Sequence, residues 1–466
     1  MPSNTYPMLI NGESVTAKEV VDVLDPSTGW VIGQVPEADE ANMHQALEAA
    51  EGGFRQWSTT SPADRKACIL NYAEILEKNR ERIVSLLRAE TGKPEDNAQY
   101  DFGMLTTCLR FFVEEAERLD QSILHDPDGR FLHYTLRQPL GIAVGMLAWN
   151  FPLLNVGYKL GPVLAAGCSV VLKPSTMTPL ASLEAVQLAK EAGVPDGVIN
   201  MVTCSNHDTT KALLESKIPA IVTMIGSTRG GLEVMNASCT SVKHFSVELG
   251  GNAPVVVYPD ADIADAANKT VDLKFANCGQ VCVSPNRCFV HKSVYDEFVE
   301  LARQRADSVE VGPLISGNAR QYVLGLVESA VAEGAEVVCG GAAKEGDGFF
   351  MQPTILKNVT TQMTVARDEI FGPVLPVIKY SDVDNEIALA NDTEFGLAAY
   401  VFTTNLATGL RAARDIDAGS VCVNEPHYSV QLPHGGLKQS GVGKDCSRYS
   451  LEEYLTLKRV SILIES

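Results

Sequence analysis

GIAVGMLAWNFPLLNVGYKLGPVLAAGCSVVLKPS, residues 141–175, carries the fold in its two ends. GIAVGML (141–147) and SVVLKP (169–174) are apolar runs without polar alternation, which suits strands covered on both faces. Leu160–Ala166 between them has helical composition. Strand, helix, strand in that order describes an α/β protein with a parallel sheet. Outward from this unit the pattern repeats: a helix over Ala181–Ala192, then strands VINMV (198–202) and IVTMI (221–225). Beyond residue 250 a second series begins with APVVVY (253–258), where Asp260 or Asp262 could cap a helix running to about Phe275. RCFV (287–290), AEVVC (335–339), PVLPVIKY (373–380), LAAYVF (397–402) and SVCVN (420–424) continue it. Two sheets, one on each side of residue 250, are the simplest expectation. FLHYTLRQ (131–138), after the turn Asp126-Pro127-Asp128-Gly129, and YLTLKRVSILI (454–464) fit neither sheet. As strands they leave edges to be covered, which pairing with another subunit would do.

The length of 466 residues calls for two or three domains. Thirty-eight Lys and Arg against 58 Asp and Glu give a net charge of −20, and no basic run offsets it. Such a surface repels phosphate backbones and anionic lipid, so neither nucleic acid nor membrane is an expected partner. The most apolar windows fall far short of the ~20 residues that a spanning helix needs. MPSNTYPMLI lacks the basic start and apolar core of a signal peptide. Eleven irregularly spaced cysteines suggest reduced thiols in a cytoplasmic protein rather than a disulfide framework.

No G-x-G-x-x-G follows a strand, and GGLKQSGVGK (435–444) fails as a phosphate loop because Lys444 precedes Asp445 rather than Ser or Thr. Cys278, Cys282, Cys288 and His291 invite a zinc reading. Alternation along a buried RCFVH strand, however, would send Cys288 and His291 to opposite faces, so no metal site is expected. Cys282, in FANCGQVC, sits where Gly279 and Gln280 break the preceding helix; backbone N–H groups there would favour a thiolate, although plain packing explains a Cys near Gly equally well. Glu248 in SVELGGN ends a strand before two glycines, as a crevice carboxylate or a surface ion pair. Asn150 in AWNFP is an oxyanion donor or turn chemistry. Lys173 awaits a ribose hydroxyl or phosphate, or is solvated. Gly226-Ser227 opens a helix as an anion site or an ordinary cap.

These motifs in this order resemble the aldehyde dehydrogenase superfamily over nearly the whole chain: WNFP (149–152), LKPS (172–175), GST (226–228), ELGG (248–251), GQVC (279–282), EIFGPV (369–374), NDTEFGLAA (391–399) and GGLKQSGVG (435–443). The resemblance implies two parallel-sheet α/β domains, the first Rossmann-like, plus a small β oligomerisation element. Residues 1–119 and 140–250 would bind dinucleotide, 251–444 would form the catalytic domain, and 120–139 with 445–466 would join subunits into a homodimer or homotetramer. It implies oxidation of a small aldehyde to the acid with NAD or NADP. Cys282 would be the nucleophile, Asn150 and the Cys282 backbone N–H would hold the oxyanion, and Glu248 would activate water. Lys173 would meet the adenosine ribose, Trp149, Gly226 and Ser227 the pyrophosphate region, and Glu369 and Phe371 the nicotinamide riboside. Phe151, Leu154, Tyr158 and His434 would line the substrate pocket. A CoA-acylating enzyme and a non-catalytic nucleotide-binding scaffold are the alternatives; retention of Glu248, Cys282 and Asn150 argues against both.

Several positions depart from the family pattern. Thr176 stands where NAD-preferring members carry a Glu, which removes the charge that would repel a 2′-phosphate, so NADP is expected to be accepted. CSNHDT (204–209) replaces a glycine-bearing stretch beside the adenine, and Ser308–Pro313 is shortened. NDTEFGLAAY and ELGGNAP look like succinate-semialdehyde dehydrogenases, yet Tyr158 and Ala276 replace the arginines that grip the distal carboxylate there. His434 replaces the usual Phe of PFGG. A small neutral or hydroxylated aldehyde is therefore expected.

Overall fold

Every residue of the Ile142–Met146 strand is buried in the computed structural model, which describes residues 4–382 and 384–464. The strand is buried because parallel neighbours flank it and helices cover both faces. It pairs with Ser169–Lys173 on one side, Met146 opposite Lys173, and with Ile221–Ile225 on the other. Ile199–Met201 extends the first side and His244–Glu248 the second, Ile225 opposite Glu248. Short antiparallel strands finish the eight-stranded sheet at both edges, including Gly441–Val442 beside Val247 and Glu248. Strand order therefore reverses between Ile142–Met146 and Ile221–Ile225, and a crevice opens beyond the carboxyl ends at such a point. Register brings Met146, Lys173, Ile225 and Glu248 to that one edge.

The helix after the first strand spans Pro152–Ala166, longer than the Leu160–Ala166 core read from composition, and all fifteen residues are buried. Pro152 suits its first turn, where no intrahelical N–H is needed. The buried ion pair Lys93–Asp101 (2.7 Å) sits at its start, and Asp101 accepts the Leu154 N–H at 2.7 Å. The helix packs on Glu95–Ala116, one of four N-terminal helices (Glu40–Trp57, Pro62–Lys78, Arg80–Thr91, Glu95–Ala116) that the strand pattern did not locate. The helix expected over Ala181–Ala192 runs Leu180–Gln187, its first N–H groups capped by Glu90.

The second sheet has seven strands in the order Glu336–Cys339, Thr354–Val359, Val374–Tyr380, Pro285–His291, Ala253–Val257, Ala398–Phe402, Ser420–Val423, parallel except for the first pair. Asp262 caps the helix Ile263–Phe275 by accepting the Asp265 N–H. The two outlying segments pair with each other: Phe131–Pro139 runs antiparallel to Leu455–Leu463 over nine residue pairs, with Ile123–Leu124 on the far side. Residues 1–3 and 465–466, at the outer ends of the first and last expected segments, lie outside the described residues. All eleven cysteines are free thiols. Among the described residues no helix is long and apolar enough to cross a membrane.

Candidate active site

Glu248 reaches the crevice because it ends its strand; Cys282 reaches it because the backbone turns sharply just before it. Asn277, Cys278 and Gly279 all have positive φ (49°, 58° and 73°), a run that costs non-glycine residues energy and persists only where packing enforces it. Gln280 secures the turn: its side chain donates to the Asn277 and Pro313 carbonyls and accepts the Ile315 N–H at 2.8 Å. The Ser308–Pro313 segment thus ends against the loop that carries Cys282. Gly251 allows the loop to come close, since a Cβ there would lie 2.3 Å from the Cys282 carbonyl oxygen.

The Cys282 thiol donates to Glu248 Oε1 across 3.1 Å, and His434 Nε2 lies 3.1 Å from the same oxygen. Asn150 Nδ2 donates to the Gln280 carbonyl at 3.1 Å, which fixes the amide beside the loop and leaves its second N–H free. Burial, then Glu248, then Glu369 push the Cys282 thiol well above its ordinary value, against one favourable Val283 N–H. The surroundings thus disfavour the thiolate expected from backbone N–H groups: one N–H does not offset desolvation beside a carboxylate. Burial works to raise the Glu248 carboxyl, but His434, Cys282 and Lys159 together hold it below the usual carboxylate range. Burial works to lower the His434 imidazole, and Glu248 overrides it and raises it.

Behind this group lies a second polar layer. The backbones of His434 and Asp445 exchange two hydrogen bonds of 2.7 Å. Lys159 Nζ donates to both Asp445 oxygens at 2.7 and 2.8 Å, with both side chains buried. His434 is flanked by Tyr158, ring centroids 6.2 Å apart, and edge-on by Tyr428 at 5.9 Å. Tyr428 and Lys159 went unnoticed in sequence because an isolated Tyr or a Lys inside a helix has no local signature. Of the other two candidates, Phe151 lies under Lys93, whose Nζ stands 3.7 Å from the ring centre, and Leu154 is buried in the same hydrophobic cluster as Tyr158.

A cleft of about 1030 Å³ opens beside the sheet's carboxyl edge, lined by Trp149, Lys173, Gly226 and Ser227. That size suits a dinucleotide. Gly226 and Gly230 leave backbone exposed to it, while the Ser227 hydroxyl already caps its own helix by accepting the Gly230 N–H at 3.2 Å. Burial lowers Lys173, and Cys204 and Glu37 oppose the shift. Glu37 also accepts the Ser205 and Asn206 N–H groups, which shapes the departing CSNHDT stretch so that Ser205 and His207, with Lys211, reach the cleft wall. Thr176 is half-buried outside the lining, between Ser175 and Met177, which belong to it. Phe371 packs edge-on against Trp149 at 5.4 Å, and Glu369 accepts the Gly251 N–H at 2.9 Å. Burial raises Glu369 to about 7. Lys274 behind it has no hydrogen-bond partner and is lowered to about 7 by burial.

Among the described residues the one gathered set of metal-type ligands is Glu248, Cys282 and His434, not the Cys278–His291 cluster weighed in the sequence. Cys278 and Cys288 are instead buried in the hydrophobic core, and His291 bonds Ser293 and Asp382.

The profile of the aldehyde dehydrogenase family matches residues 13–460, and the chain belongs to that family. It is accordingly an NAD(P)-dependent aldehyde dehydrogenase, with NAD or NADP as cofactor. The glutarate-semialdehyde dehydrogenase of Pseudomonas putida is 36% identical, covering 98% of this chain and 97% of that protein. The NADP-dependent succinate-semialdehyde dehydrogenase of Escherichia coli is also 36% identical, with 97% of each covered. Among solved structures, an E. coli NADP-dependent enzyme superposes with a TM-score of 0.97 at 34% identity, covering 99% of this chain and 98% of that one. Indole-3-acetaldehyde dehydrogenase of P. syringae, in complex with NAD+, gives 0.96 at 33%, covering 98% and 97%.

Proposed function

We propose that this chain oxidises a small neutral or hydroxylated aldehyde to its carboxylic acid through a thioester on Cys282. The 3.1 Å approach of the Cys282 thiol to Glu248 Oε1 carries this reading. Sγ attacks the aldehyde carbon while its proton passes to Glu248, the only carboxylate recorded at hydrogen-bond distance among the described residues. The free Asn150 N–H and the Cys282 backbone N–H hold the oxyanion of the thiohemiacetal. Nicotinamide, when bound, supplies the hydride acceptor. Trp149, Lys173, Gly226 and Ser227 would hold its nucleotide, and Glu369 and Phe371 its ribose and ring. Glu248, once it has released the thiol's proton to solvent, takes a proton from the water that attacks the thioester and returns it to the leaving Sγ, which releases the acid and restores the thiol.

NADP acceptance follows from the cations Lys173 and Lys211 with His207 on the cleft wall, and from the neutral Thr176 between the lining residues Ser175 and Met177, where a Glu would bring a negative charge toward the cleft. The distal end of the substrate would meet Tyr158, Tyr428 and His434, with no guanidinium at position 158 or 276 to grip a second carboxylate. The separate antiparallel sheet with its exposed apolar side chains supports assembly into a dimer or tetramer, and eleven free thiols support a reducing, cytoplasmic setting.

An aldehyde panel with each cofactor, followed by the absorbance of reduced nicotinamide, tests the reading. Neutral aldehydes should outperform succinate semialdehyde, and Cys282→Ala should abolish turnover while leaving nucleotide binding intact. Parental turnover by Cys282→Ala would sink the mechanism. Lys173→Ala should weaken NADP more than NAD, and Thr176→Glu should shift preference toward NAD. A strong NAD preference in the parent that Thr176→Glu leaves unchanged would refute the cofactor proposal.

A further inference from the structure

Three donor atoms of different chemistry converge on one point of the active site. Glu248 Oε1 is 3.1 Å from Cys282 Sγ and 3.1 Å from His434 Nε2, and all three atoms lie within 4.8 Å of one another. The side chains of Glu248 and His434 are only 4% and 12% exposed. Thiolate, imidazole and carboxylate together form the donor set of a borderline-soft divalent cation, and three protein ligands with one open position make the pattern of an accessible zinc site. Bonds of about 2.0–2.3 Å in a tetrahedron separate ligand atoms by roughly 3.3–3.7 Å. The two recorded separations need to open by only a few tenths of an ångström.

The surroundings favour such a site. The His434–Asp445 backbone pairing and the flanking Tyr158 and Tyr428 rings hold the imidazole in place. A Phe at position 434, the residue expected from the motif, would supply no ligand.

We propose that Cys282, Glu248 and His434 bind one zinc-class divalent cation, and that its binding takes the nucleophile out of reaction. A bond forms from the metal to Sγ, one to Nε2 and one to a Glu248 oxygen, with a solvent molecule in the fourth position. Protons leaving the thiol and the imidazolium pass to solvent, and no electron changes hands. The site overlaps the proposed catalytic group but needs neither aldehyde nor nicotinamide, so it can be tested apart from turnover.

The test titrates the chelator-treated full chain with ZnCl2 by equilibrium dialysis and with CoCl2 by absorbance. One equivalent per chain is expected, together with a thiolate-to-cobalt charge-transfer band and protection of Cys282 from iodoacetamide. His434→Phe should weaken binding by roughly 100-fold or more, beyond the 10–100-fold typical of losing an outer-shell partner. His434→Cys should restore much of the affinity. Cys282→Ala should lose the band. Circular dichroism of each variant identifies any that misfold, and Glu248→Gln supplies an independent ligand loss with the carboxyl's shape preserved. Three results would each overturn the proposal: no stoichiometric binding by the parent, equal affinity in folded His434→Phe, or a cobalt band that survives Cys282→Ala.

Discussion

Cys282 and Glu248 oppose each other electrostatically, although the proposed reaction needs them to cooperate. A carboxylate 3.1 Å from a thiol disfavours the thiolate, so Glu248→Gln should lower the Cys282 pKa. In the free protein at neutral pH, that variant should be alkylated by iodoacetamide faster than the parent. Its turnover should nonetheless fall about 10²–10⁴-fold, the usual worth of a general base. Mass spectrometry of the labelled Cys282 peptide and steady-state rates separate the two effects; slower alkylation would contradict the electrostatic account. Asn150→Ala removes one of the two proposed oxyanion donors and should cost about 10²–10³ in kcat, read from saturating-substrate kinetics. His434 titrates in the opposite sense to Glu248. Its raised folded pKa means that its ion pair with Glu248 is fully formed below the ordinary imidazole value and is lost as pH rises through the folded value. The parent should therefore lose thermal stability as pH rises from the ordinary imidazole value through the folded one, by a margin that His434→Phe lacks, measured as Tm against pH. Cys282, Glu248 and Asn150 were legible because chemically capable residues beside glycines and prolines at strand ends stand out locally. The bond from His434 to Glu248 was not, because contact across so many residues leaves no trace in spacing.

Strand ends and the turn before Cys282 do the positioning at the scale of elements. Glu248 is held between Ile225 and Gly441 in the sheet, so its direction follows from register. Cys282 hangs on a turn with three successive positive-φ residues, braced by Gln280 and closely backed by Gly251. In Gly251→Ala the new methyl would meet backbone, which can yield only by moving the loop. We expect a stability loss of about 1–3 kcal/mol, with a fall in kcat larger than that loss alone would produce at a temperature where the variant is folded. Urea unfolding and initial rates check the two parts. Asp445→Asn strands the buried Lys159 ammonium and should cost about 3–5 kcal/mol, visible in the urea midpoint. Apolar runs in the sequence located most core strands because strands covered on both faces have no polar alternation. The N-terminal helices escaped the same reading because their polar outer faces dilute the apolar signal.

At the scale of the molecule, the sheet formed by Ile123–Leu124, Phe131–Pro139 and Leu455–Leu463 stands apart from both large sheets. Ile123 is 79% exposed and Leu457 62%, with Leu463 and Ile464 also bare, a cost that a partner subunit would relieve. If the proposed assembly uses this sheet, Leu457→Asp with Leu463→Asp should lower the sedimenting mass toward that of a monomer; a monomeric parent or an unchanged oligomeric mass would contradict it. Composition, apolar periodicity and ordered local motifs determined, from the letters alone, the α/β class and the family, and singled out Cys282 as the candidate nucleophile, since each depends on residues near one another in the chain. Tertiary structure alone decided that the two outlying strands pair with each other, that Thr176 stands outside the cleft lining while His207 and Lys211 enter it, and that one Glu248 oxygen is shared by Cys282 and His434. Those outcomes depend on through-space distance and desolvation, which exist only once distant segments have packed together.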